Sequence, residues 1–121
     1  MQFLVIGYDG TDEQALSRRM AVREKHISLG DKMRDAGKML YGAAILDDDD
    51  KMIGSVLICQ FDSKAELDQW LKLEPYVIGG VWQKIEVKPC KVGPSFAQLT
   101  TVAQGKNLKS ESVSESMWDE N

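Results

Sequence analysis

At 121 residues, with 43% apolar and 28% charged side chains, the chain is long enough for one domain with one core. Its net charge of −4 and the lack of any Lys/Arg block argue against a nucleic-acid partner, which needs a concentrated basic footprint. No apolar run approaches the ~20 residues of a membrane span. The start of the chain lacks the basic segment and small-residue cleavage site of a secretory signal, so a cytoplasmic protein with no membrane partner is expected.

Residues 2–8 form a short apolar run rich in β-formers, ended by Asp9-Gly10, and read as a buried strand. Thr11 or Asp12 is placed to cap a helix beginning just after it. Over 13–36 the period becomes helical. Leu16, Met20 (or Arg19), Val22, His26, Leu29, Met33 and Ala36 recur every three or four residues on one face. Arg18, Glu24, Lys25, Lys32 and Asp35 fall outside that face. Gly37 closes the helix.

Residues 39–46 and 52–61 are apolar strands joined by the acidic turn Asp47-Asp48-Asp49-Asp50-Lys51, an antiparallel hairpin. Ser63 with Glu66 three residues on makes a capping box, predicting a second helix over 64–73. Glu74-Pro75-Tyr76 breaks it, because the residue before proline is pushed out of the α region. Residues 77–81 read as a flexible connection. Residues 82–91 form a last strand, with Ile85 and Val87 on its apolar side and Trp82, Lys84, Glu86 and Lys88 on the wet side.

The order β-α-β-β-α-β predicts an α+β, ferredoxin-like fold: an antiparallel four-stranded sheet with two helices on one face. The bare face needs a cover, and a second copy of the chain is the simplest one, so a homodimer is expected. The folded domain is placed at 1–98, with residues 95–99 as a possible edge strand. Residues 99–121 read as a polar tail whose composition cannot offset ordering entropy by burial; Trp118 is its one aromatic side chain.

His26 is the only histidine and lies where an amphipathic helix would place Leu. Arg19 and Arg23, seven and three residues earlier, share roughly its side of the helix. Gly30, four residues later, is expected to leave space beside it. An imidazole next to a gap and flanked by cations suits an anionic small molecule. The bland alternative is a core histidine bonded to backbone. Glu74, on irregular backbone, is a carboxylate able to orient an imidazole.

Other sites are weaker. Asp47 to Asp50 lack the spaced ligands and glycine of a Ca²⁺ loop and read as a solvated turn. Cys59 and Cys90 make no CxxC motif and read as small buried hydrophobes with reduced thiols. There is no GxGxxG or Walker A pattern, and one His with two separated Cys does not make a zinc site. No cofactor and no metal are expected.

In order along the chain stand Arg23-x-x-His26, Gly37-Lys38, Gly42, Gly54-Ser55, Phe61-x-Ser63, Trp70, Glu74-Pro75-Tyr76, Gly80-Val81 and Val87-Lys88-Pro89. Over about residues 1–95 this set resembles the YciI-like family, the YCII-related domain of the dimeric α+β barrel group. The resemblance implies a ferredoxin-like protomer, a dimer made by sheet-to-sheet packing, and a cleft with a His–Asp pair proposed as catalytic. His26 matches the family's histidine. The family's Asp-Pro-Tyr is Glu74-Pro75-Tyr76 here, and its frequent Gly-Pro in the second strand is Ala43-Ala44. A family relative that eliminates chloride from a chlorinated hydroxyquinol, and the similar fold of muconolactone isomerases, imply proton transfer on small cyclic or aromatic compounds.

The expectation is therefore a cofactor-independent lyase or isomerase. His26 acts as base or acid, Glu74 holds its tautomer, Arg23 and Arg19 bind an anionic oxygen, and Ser55 and Tyr76 line the pocket. The alternatives are a non-catalytic small-molecule-binding or stress-response module, and a purely structural dimer unit.

Overall fold

Burial along the first strand alternates strictly. Phe3, Val5, Gly7 and Asp9 are buried, while Leu4, Ile6 and Tyr8 are partly or largely exposed. Successive side chains of a strand point to opposite faces, so this pattern divides the sheet into a packed face and an open one. In the computed structural model, which describes residues 1–97, the elements are β1 (Gln2–Asp9), α1 (Ala15–Asp35), β2 (Met39–Leu46), β3 (Met52–Gln60), α2 (Lys64–Leu71), α3 (Pro75–Ile78) and β4 (Trp82–Cys90). The sheet order is β2-β3-β1-β4, every neighbouring pair antiparallel. This is the ferredoxin-like α+β arrangement that the element order predicts.

The core lies between the packed face and the helices. Phe3, Val5, Leu57 and Cys59 from the sheet meet Leu67 and Trp70 of α2, with Val22, Leu29 and Met33 of α1 packed against them. Ser63 caps α2, its hydroxyl accepting from the Glu66 N–H at 3.2 Å, as the capping box predicts. Gly37 follows α1 at φ 75°, a left-handed conformation that glycine adopts without strain.

Four local expectations are corrected. Gln14, not Thr11 or Asp12, occupies the N-cap position of α1, and it makes no side-chain cap. Asp12 instead accepts from the Gln14 N–H and pairs with Arg18. Of the two alternatives for the inward stripe of α1, Arg19 takes the place and Met20 is 52% exposed, while Leu16, expected on that stripe, is 38% exposed. Residues 77–81 are not simply a connection: Pro75–Ile78 is a short third helix, begun by the proline whose fixed φ suits a first helical position. Residues 94–97 form a helical turn where an edge strand was expected over 95–99.

The fourth strand holds a further difference. Asp9 pairs with Trp82 although Tyr8 pairs with Lys84, so Gln83 is an extra residue in a bulge. The bulge resets the alternation. Trp82 therefore joins Ile85 and Val87 on the packed face, where simple alternation puts it on the wet side.

Met1–Cys90 is one compact unit, and Lys91 onward belongs to a second. The expected tail over 99–121, with Trp118, lies outside the described residues. Among the described residues no helix is long and apolar enough to cross a membrane.

Candidate active site

Glu74 has φ −67° and ψ 121°, the extended conformation imposed by the following proline. It is the N-cap of α3: its carboxylate oxygen Oε1 accepts from the Tyr76 N–H at 3.1 Å. Pro75 offers no N–H, so Tyr76 presents the first free donor of that helix. The same oxygen stands 2.5 Å from His26 Nδ1. The Glu74 carboxylate is 2% exposed and the His26 side chain 18%. An ionised carboxylate only accepts hydrogen bonds, so opposite an ionised Glu74 the neutral ring carries its proton on Nδ1 and its lone pair on Nε2. Among the described residues no hydrogen-bond partner of Nε2 is seen.

Tyr76 grips the same imidazole a second way. Its ring stacks on His26 with centroids 3.9 Å apart and planes 11° apart. Three consecutive residues thus supply a carboxylate in line with Nδ1 and an aromatic face beneath the ring. Trp82 stands edge-on to both rings, 6.1 Å from His26 and 5.6 Å from Tyr76. Its indole lies flat over Gly7, where a Cβ would come within 2.4 Å of the ring, so only glycine fits there.

Two turns before His26 on α1, Arg19 is sealed, its side chain 3% exposed. Its Nη1 donates to both oxygens of Asp9 at 3.0 Å, and its Nη2 donates to Ser55 Oγ at 2.9 Å. Ser55 Oγ also accepts from Trp82 Nε1 at 3.3 Å. The Arg19 guanidinium carbon lies 4.7 Å from the Tyr76 ring centroid. Burial raises the Asp9 carboxyl above its ordinary value, with the Arg19 cation pulling the other way. Burial likewise raises the Tyr76 phenol, opposed by Arg19 and Arg23.

Of the residues singled out in the sequence, His26, Glu74, Tyr76, Arg19 and Ser55 are thus joined by a chain of contacts. Arg23, half-buried on α1, is close enough for its charge to act on Tyr76. Space is open at Gly30, where a built Cβ meets nothing within 4 Å, the His26 side chain included. Asp9 and Trp82 belong to the cluster and were not singled out. Asp9 shares its parity with Phe3, Val5 and Gly7, which marks it as inward-facing. Nothing local marks the bulge that turns Trp82 inward. A depression of about 580 Å³ opens beside the cluster; Asp9, Gly10, Asp12, Arg18, Gly80 and Gln83 are in its wall, and His26 is not. Cys59 lies in the core, where burial pushes its thiol up to about 12. Among the described residues no group of three or more His, Cys, Asp or Glu is placed to hold a metal ion.

Residues 1–91 match the model of the YCII-related domain. The chain is 29% identical over 97 residues to the protein YciI of Escherichia coli O6:H1, covering 75% of this chain and 97% of that protein. It is 30% identical over 82 residues to an uncharacterised protein of Haemophilus influenzae, covering 63% and 84% respectively. Among solved structures, it is similar in fold to a 5-chloro-2-hydroxyhydroquinone dehydrochlorinase from Burkholderia phenoliruptrix AC1100 in complex with 2,5-dihydroxybenzoquinone. That similarity has a TM-score of 0.67 at 24% identity and covers 78% of this chain and 98% of that one. With three-quarters of its length matched by one family model and by curated relatives, the chain belongs to the YCII-related domain family.

Proposed function

We propose that the protein is a small cofactor-independent enzyme that moves a proton on a small, anionic, cyclic or aromatic compound. The observation that carries this reading is the 2.5 Å contact between His26 Nδ1 and the buried Glu74 carboxylate, with the imidazole itself partly exposed. A buried acid behind a histidine holds one tautomer and stabilises the imidazolium that forms when Nε2 takes a proton.

In the proposed step, Nε2 takes a proton from a hydroxyl or an acidic C–H of the substrate. The electron pair left behind becomes a new C=O or C=C bond. In an elimination, an anion such as chloride leaves with the displaced pair; in an isomerisation, the imidazolium returns the proton to a different carbon. Arg23, half-buried on α1, supplies positive charge that favours the enolate-like oxygen, while Tyr76, Arg19 and Ser55, all buried, back the imidazole from the core side. The dehydrochlorinase of similar fold acts on a chlorinated hydroxylated ring, which makes such rings the first compounds to try.

The test is turnover of a panel of chlorinated and unchlorinated polyhydroxybenzenes and of enol lactones, read by chloride release and ultraviolet absorbance. The wild type should convert at least one compound, and His26→Ala should lose that activity. Full activity in His26→Ala rules the mechanism out.

The competing reading is a non-catalytic binding module, favoured by the second duty of Glu74 as cap of α3. Binding of the same compounds with no turnover in any form of the protein would establish it. The cytoplasm is the proposed location.

The open sheet face supports the homodimer. By register it carries Leu4, Ile6, Val56, Ile58 and Ile45, an apolar surface that a second copy would cover. A monomer by sedimentation equilibrium at all concentrations would rule this out.

A further inference from the structure

We infer that Arg19 is a positioning residue: held by Asp9 and Ser55, it fixes the Tyr76 ring on which the His26 imidazole lies, and it does not itself meet the ligand. This deepens the role proposed for His26, but it concerns the imidazole's orientation and is testable whether or not turnover is found.

One hydrogen bond fixes a point and not a plane. The Glu74 contact sets the position of Nδ1. It leaves the ring free to pivot about that atom, and the pivot carries Nε2 with it. A second constraint must set the plane, and the parallel stack on Tyr76, 11° from coplanar, is that constraint. The stack only works if the Tyr76 ring is itself held. Two groups with defined geometry stand against that ring: the Arg19 guanidinium, 4.7 Å from its centroid, and the Trp82 indole, edge-on at 5.6 Å. Both are tied to a single atom, Ser55 Oγ, which accepts from Arg19 Nη2 at 2.9 Å and from Trp82 Nε1 at 3.3 Å.

The guanidinium is suited to this task. Its donors form a rigid planar fork, so bonds from one nitrogen to Asp9 and from the other to Ser55 fix the plane of the cation as well as its position. Asp9 neutralises the charge, without which a cation only 3% exposed could not be kept beside an aromatic ring in the core. The same burial separates Arg19 from a ligand: no compound reaches the guanidinium unless the pair is first broken.

The experiment uses the fact that His26 is the only histidine, so its ring protons give one unambiguous set of NMR signals in the full chain. A tyrosine ring stacked at 3.9 Å shifts those protons upfield by its ring current. Arg19→Lys keeps the charge and loses the fork. Ser55→Ala removes the atom that joins Arg19 to Trp82. Each variant should at least halve the upfield shift, while the nitrogen shifts continue to report a proton on Nδ1, because Glu74 is untouched. A residue that merely stabilises the fold would lower the unfolding midpoint and leave the imidazole signals in place. That result in the folded Arg19→Lys protein overturns the inference; if Arg19→Lys fails to fold, unmoved signals in Ser55→Ala overturn it instead. An enzyme with no detectable turnover but with these shifts lost would contradict the catalytic reading and leave this one standing.

Discussion

Three acid–base pairs made by α1 between Arg18 and His26 differ chiefly in how much water reaches them. Arg19 and Asp9 are 3% and 2% exposed; His26 and Glu74 are 18% and 2%; Arg18 and Asp12, at the helix start, are 31% and 52%. The sealed pair is almost wholly shielded from water and serves the core. The solvated pair trims one end of a helix. Only the middle pair combines a buried acid with a base that reaches the surface, which is the combination proton transfer needs. Histidine alone does not set it apart: on the proposed reading, depth decides which of these three pairs is open to a ligand.

The sealed pair gives the largest expected effect. Asp9→Asn leaves Arg19 as a buried charge without its counterion, and removal of one partner of such a pair costs about 3–5 kcal/mol. Urea unfolding should show that loss. A cost near zero would mean that water already reaches Arg19, and the contrast between the pairs would fall.

The middle pair should behave differently. Glu74→Gln keeps an oxygen for the Tyr76 N–H but loses the charge behind the imidazole. Turnover of any substrate found should drop by about 100-fold or more, the usual worth of general acid–base catalysis, while the fold survives. Unchanged turnover would make Glu74 a helix cap and nothing else.

Gly7→Ala tests the wall that the two buried pairs share. A Cβ at Gly7 lands 2.4 Å from the Trp82 ring, and Trp82 touches both Ser55 and His26. Overpacking of this kind costs about 1–3 kcal/mol, and the near-ultraviolet circular dichroism of Trp82 should change with it.

The exposed pair yields the smallest effect and a pH signature. The Arg18 hydrogen bond holds the Asp12 carboxyl down to about 2, from an ordinary 3.8. The pair therefore stabilises the fold fully above 3.8, and that contribution goes as the pH falls through about 2. Carboxyl carbon NMR should place the Asp12 midpoint there and return it toward 3.8 in Arg18→Ala; an unmoved midpoint would show that the pair is absent in solution.

Depth and sequence distance also decide what is readable in the sequence. Element order follows from local periodicity, and so does the inward placement of His26. Glu74 announces itself because the proline after it forces extended backbone. The sealed pair was half visible: Arg19 occupies the inward stripe only because Asp9, ten residues away, and Ser55, thirty-six away, are there to receive it. Helical period favours the apolar Met20, and a long-range charge pair overrides it. Trp82 is hidden for a different reason. One extra residue in a strand reverses every later side chain, and nothing around Gln83 signals it.

The central claim is that the half-open pair on α1 is a small-molecule site centred on His26. Thermal unfolding of wild type and His26→Ala against a library of small acidic and phenolic metabolites tests it most directly. A compound present at 100 times its dissociation constant adds ~2.7 kcal/mol of stability. We expect at least one planar anionic compound that raises the midpoint of the wild type and leaves folded His26→Ala where it was. Compounds that stabilise both proteins equally, or a library with no effect on the wild type, would contradict it.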